Sequence, residues 1–290
     1  MKRDAAAIGW LLLLGQVFFQ ISTFVVILLS GLLGLGSIGL YIGSDIGSFL
    51  ANVVILGILM LCRRKTTQLP QPKCRHPLAL TGAAWLVLLS WNAVVSSLDT
   101  ATGHLFSVTA EHGEAASLPF LLLTVGVFPA IVEEFAFRRV IFGILRKYGF
   151  AVAAVFSSLC FGMMHQNFIQ ILFAGVMGMI LCYVYEQTGK LRYGMLLHFL
   201  NNAMSVLLSD SNFYARYGAV AEAVLALCAL AVWGWLLLRK KISFRKLLGV
   251  GSEDEAHAAR RDVFVCLTRI PVVIYTLFCL GVAVMTILVI

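Results

Sequence analysis

Apolar runs about as long as a bilayer is thick recur along this whole chain, and that pattern removes most folds from consideration. A membrane span needs about 20 predominantly apolar residues. On that rule, spans are expected near 8–34, 44–62, 79–97, 118–146, 150–168, 171–187, 191–208, 218–238 and 263–288. The expected fold is therefore all-α: a multi-pass transmembrane helical bundle of about 8–9 spans. The glycine-rich stretch from Gly31 to Gly47 blurs the first two boundaries. Composition agrees, because 60% of the residues are hydrophobic and 12% charged, against about 45–50% and about 25% in a soluble domain. The two-residue alternation of a membrane barrel is absent. The first run follows Met1-Lys-Arg-Asp and continues to about residue 35, too long for the core of a signal peptide, so it reads as an uncleaved span.

A net charge of +8 does not point to nucleic acid here, because the bases sit between apolar runs. Loops on one side hold Lys2 and Arg3, Arg63 to Arg75, Arg146 and Lys147, Lys190 and Arg192, and the cluster from Arg239 to Arg261; the other side holds only Arg216. That asymmetry fits nine spans with a cytoplasmic N-terminus. The expected location is the inner cell membrane, with lipid as the surrounding partner. The polar stretch 239–262 reads as a solvated cytoplasmic loop, or as a binder of anionic headgroups. Seven scattered cysteines with no CxxC pair read as small core residues.

Against this background, ionisable groups inside the runs stand out. Each costs at least about 2.5–3.5 kcal/mol at membrane depth, which makes it a functional candidate. Glu133 and Glu134 close one apolar run, and Arg138 follows four residues after Glu134. Residues four apart share a helix face, so Arg138 would hold Glu134 ionised and oriented while Glu133 points about 100° away. Two further runs carry His165, four residues after Phe161, and His198, four residues before Asn202. Counting from the turn at 147–150, Glu134 and His165 both lie about 20 Å deep. His198 lies only about 10 residues from its own turn and fits that depth less well.

Carboxylates, imidazoles and an amide at one depth suit hydrolysis of an acyl bond. A glutamate would act as general base on water, a histidine would share the proton traffic, and the other histidine with Asn202 would bind the oxyanion. Glu133, His165 and His198 could alternatively hold a zinc ion, although the spacing is not HExxH. No GxSxG elbow, GxGD pair, P-loop or dinucleotide fingerprint occurs.

Glu-Glu-Phe-Ala-Phe-Arg at 133–138 resembles the EExxxR motif of the CPBP family, which comprises CAAX proteases and bacteriocin-processing enzymes and is also called Rce1-like or Abi. Phe161-Gly-Met-Met-His165 is similar to its FxxxH motif, and His198-Phe-Leu-Asn-Asn202 to its HxxxN motif. The resemblance covers roughly 118–208. It implies an intramembrane endopeptidase with Glu133 as general base, Glu134 and Arg138 as a supporting pair, His165 helping to activate water, and His198 with Asn202 at the oxyanion. Both a metal-dependent and a metal-free glutamate mechanism go with that family. Its implied partner is a peptide or protein substrate, prenylated CAAX tails and leader peptides among them.

The chain accordingly divides into N-terminal helices and a loop at 1–117, a catalytic core at 118–208, and C-terminal helices with a basic loop at 209–290. Two rival readings remain: a non-catalytic regulatory or immunity protein on the same scaffold, and a proton-coupled transporter using buried Glu and His. No internal repeat supports the transporter. Taken singly, either histidine could be a hydrogen-bonded packing residue, and the Glu-Glu-Arg group a structural ion network.

Overall fold

A computed structural model describes residues 1–34, 74–102, 117–209 and 252–289, with four single positions between 220 and 231. Among the described residues eight helices follow one another and no strand occurs. They are α1 (Lys2–Leu32), α2 (Pro77–Ala101), α3 (Leu118–Tyr148), α4 (Phe150–Met163), α5 (Phe168–Thr188), α6 (Leu191–Ser209), α7 (Glu253–Leu267) and α8 (Ile270–Val289). The all-α expectation is met.

Length and apolarity single out α1, α2, α3 and α5 as membrane spans, or five spans if α7 and α8 are taken as one broken span. The chain is an integral membrane protein. The expected spans 44–62 and 218–238 lie outside the described residues. Those at 150–168 and 191–208 are helices, but α4 has only 14 residues, and α6 carries Arg192, His198, Asn201 and Asn202 among its apolar residues. The expected span 263–288 is broken: α7 stops at Leu267 and α8 starts at Ile270, bent by 74°. Pro271 explains the break, since proline fits a first helical turn and disfavours helix in the residue before it. The freed end of α7 is closed by Arg269 Nε, which donates to the Val265 carbonyl at 2.8 Å. Part of the expected polar loop is also helical. Ser252 and Glu255 form a reciprocal capping box that starts α7.

Apolar solvent leaves no water to satisfy stray polar groups. In α2, Thr81, Ser90, Ser97 and Thr100 each donate to a carbonyl four residues back. Small residues then let backbones approach. The pair α4–α5 makes the most extensive contact, and a Cβ on Gly178 would lie 3.0 Å from the Ser158 backbone, one on Gly162 2.8 Å from the Ile171 carbonyl oxygen. Gly9 serves the α1–α8 crossing in the same way, against the backbone of Pro271 and Val272. Side chains facing away from these contacts on α1, such as Leu14, Phe24, Leu28 and Leu32, stay exposed, as lipid-facing residues do.

Helix α3 is not a regular α-helix. Leu122–Val127 and Glu134–Phe142 are π-helical. A π turn holds more residues than an α turn, so the chain advances less along the axis per residue. Such turns gather at functional sites, and here the second one begins at Glu134.

Candidate active site

Glu134 and Arg138 lie one turn apart on α3 and both are fully buried. Arg138 Nη1 is 3.0 Å from Glu134 Oε1, its Nη2 reaches the Gly178 carbonyl at 3.5 Å, and its guanidinium carbon lies 4.2 Å over the centre of the Phe161 ring. A cation over an aromatic face gains from the ring quadrupole, more so when desolvated. The four-residue spacing in sequence foretold the ion pair. It did not foretell the third member: His198 Nδ1 lies 3.0 Å from the same Glu134 oxygen.

Helix α6 brings His198 there because Gly194, one turn earlier, has no side chain. A Cβ on Gly194 would stand 2.9 Å from Glu134 Oε2. His198 thereby reaches Glu134 although its own turn lies few residues away. The depth misfit inferred from sequence assumed an ordinary rise along α3, and the π-helical segment from Glu134 to Phe142 shortens that distance.

Glu133 points elsewhere, as its position on the helix required. Its Oε2 is 3.7 Å from His198 Nε2, and that buried oxygen has no hydrogen-bond partner among the described residues. The imidazole of His198 therefore stands between the two glutamates. Nδ1 faces Glu134 and Nε2 faces Glu133, so a proton on either ring nitrogen, or on both, has a carboxylate within reach.

His165 sits just past α4 in the short turn before α5. Its Nδ1 is 3.0 Å from the Phe161 carbonyl oxygen, and its ring packs edge-on against Phe161, centroids 5.2 Å apart. Phe161 also meets His198 at 5.9 Å and Phe137 at 5.1 Å, both edge-on. One ring thus separates Arg138, His165 and His198.

Asn202, one turn beyond His198, donates through Nδ2 to the Val125 carbonyl at 2.9 Å. Pro129 lies four residues after Val125 and has no N–H to offer that carbonyl. The asparagine answers the proline and ties α6 to α3, with a second amide hydrogen left over.

Glu133, His165, His198 and Asn202 all line one cavity of about 620 Å³, whose other walls are α2 and α5. That volume is in the range of small-molecule and peptide side-chain pockets. Asn92 and Ser96 of α2 and Asn201 of α6 add polar groups to it. A smaller cavity of about 300 Å³ is walled by α1 and also reaches Glu133 and His165. Among the described residues no three side chains of His, Cys, Asp or Glu converge closely enough to hold one metal ion. Sequence reasoning missed Gly194 and the polar face of α2. A glycine four residues before His198 was the one available signal for the former.

The comparisons with known proteins concern this same region. Residues 115–204 match the family model described as type II CAAX prenyl endopeptidase Rce1-like, which bears out the resemblance read from the three motifs. YdiL of Bacillus subtilis (strain 168), named as a candidate membrane peptidase, is 28% identical over 93 residues, which are 32% of this chain and 38% of that protein. The membrane-embedded CAAX protease MroQ of Staphylococcus aureus (strain USA300) is 31% identical over 116 residues, 38% of this chain and 47% of that protein. The chain thus spans less than half the length of either relative. No solved structure matches.

Proposed function

We propose that this protein is an intramembrane endopeptidase of the inner cell membrane that hydrolyses a peptide bond in a membrane-associated substrate, with Glu133 activating the water. The observation that carries this is the convergence of Glu133, His165, His198 and Asn202 on one cavity inside an apolar bundle. Glu133 has a buried, unpartnered oxygen there, the arrangement a general base needs. It takes a proton from water as the water oxygen bonds to the scissile carbonyl carbon. His198 Nε2–H and the spare amide hydrogen of Asn202 donate to the oxyanion that develops. The C–N bond then breaks and the proton held by Glu133 passes to the leaving amine. His165 shares the cavity wall and steers the water's second hydrogen. Glu134 and Arg138 act on His198 and hold its ring in place.

A CAAX-type tail is the first substrate class to try, because the family model and the name of MroQ both specify it. The test is cleavage of a farnesylated CAAX peptide and a panel of leader peptides by purified protein in detergent. Wild type should cut, and Glu133→Gln should be slower by about 10²–10⁴-fold. Equal rates would remove Glu133 from the mechanism. A chelator arm in the same assay reads whether a metal ion joins the site. Cleavage by neither protein on any substrate would favour the rival reading, a scaffold that binds without cutting.

A further inference from the structure

Hydrolysis in an apolar bundle needs a place for water as well as a place for the peptide. Two chambers meet at the candidate base. Glu133, His165 and Gln170 line both of them. The larger is bounded by α2 and α6 and contains the oxyanion donors His198 and Asn202. The smaller contains neither of these and is closed by α1, which contributes Leu11, Leu12, Gly15, Gln16 and Phe19. Helix α1 lies outside the segment that matches the endopeptidase family.

The smaller chamber is mostly apolar, yet amides mark it. Gln16, Gln166 and Gln170 all line it. Gln166 follows His165 directly and holds a left-handed φ of 53°, the one non-glycine residue to do so among those described. Its Oε1 accepts a hydrogen bond from Gln20 Nε2 at 2.6 Å, and Gln16 Nε2 donates to the Met164 carbonyl at 3.5 Å. These bonds from α1 hold the turn that bears His165. They leave Gln166 Nε2 buried with no partner among the described residues. A buried water is stable where it finds about 2–4 polar partners, and Glu133, His165, Gln166 and Gln170 are polar side chains lining this chamber.

We propose that the smaller chamber, closed by α1, holds the water consumed in hydrolysis and presents it to Glu133 from the α1 side, while the peptide occupies the larger chamber. This rests on the hydrolytic reading above. The water oxygen forms the new C–O bond, one of its hydrogens passes through Glu133 to the leaving amine, and the other stays on the new carboxyl group. Peptide binding and water supply are then separable in this protein.

X-ray hydroxyl-radical labelling of the full chain in detergent tests it, with water itself as the probe. Met164 lines the smaller chamber, and Met285 is exposed on the lipid-facing side of α8. Met164 should oxidise well above the rate of Met285. Leu12→Phe and Leu11→Phe, each of which adds side-chain volume to the chamber wall, should each lower Met164 oxidation and reduce kcat about tenfold with KM unchanged. A wild-type Met164 as inert as Met285 would overturn the proposal, as would an unchanged kcat in both variants. If wild type cleaves nothing, the hydrolytic reading fails and this proposal with it, whereas an inert Met164 beside intact cleavage refutes the water chamber alone.

Discussion

Glu134 is held from three directions: by Arg138 on its own helix, by His198 across the bundle, and by the bare backbone of Gly194 against its second oxygen. Removing one partner of a buried ion pair strands the other charge, at a cost of about 3–5 kcal/mol. Arg138→Met should therefore lower unfolding stability in detergent by about that amount. Gly194→Ala should do something different. Its methyl group would push the carboxylate away from His198, so turnover should drop several-fold more than stability. Activity and a melting curve measured on the same sample would separate the two variants. The sequence revealed the Glu134–Arg138 pair because helical geometry fixes neighbours four apart. It was silent on the pairing of Glu134 with His198, 64 residues away, because nothing local sets which faces of two distant helices meet.

At the scale of elements, the apolar runs foretold where most described helices lie and missed how they deviate. The π turns of α3 and the break before α8 follow from proline and from packing, which hydropathy does not register. Pro271 was visible and should have stopped the span drawn through it. Asn167 was visible too: its side chain accepts from Gln170 N at 3.1 Å and starts α5, which is why α4 ends before residue 168. Packing of α4 on α5 makes a sharp prediction. Gly162→Ala would place a methyl 2.8 Å from a backbone oxygen, whereas a Cβ on Gly175 meets nothing within 4 Å. Gly162→Ala should cost about 1–3 kcal/mol and disturb His165, whose N–H donates to the Gly162 carbonyl at 3.1 Å. Gly175→Ala should be close to neutral in both stability and cleavage.

Across the whole molecule, charge gathers at one end of the described bundle. Lys147 Nζ pairs with Asp4 at 2.7 Å, and Arg146 grips Glu186 with two bonds of 2.9 and 2.7 Å. The first pairing puts the start of α1 beside the turn after α3, on one side of the bundle, as the distribution of basic residues required. The second was not legible, because Glu186 lies 40 residues from Arg146 and nothing local sets which distant helix ends meet. Arg146→Glu and Glu186→Arg should each destabilise the protein by about 2 kcal/mol, and the double exchange should recover most of the loss in a double-mutant cycle.

The Glu134–Arg138 pair also bears on how the chain is made. Helix α3 is synthesised well before α6, so Glu134 must enter the bilayer while His198 is still to come. A carboxylate with its counter-charge one turn away on the same helix travels as a neutral unit. It needs no other part of the protein to cross the lipid boundary. On the proposed function, insertion and catalysis would draw on the same arginine, and the order of translation is a reason for that arginine to sit on α3 and not on a later helix.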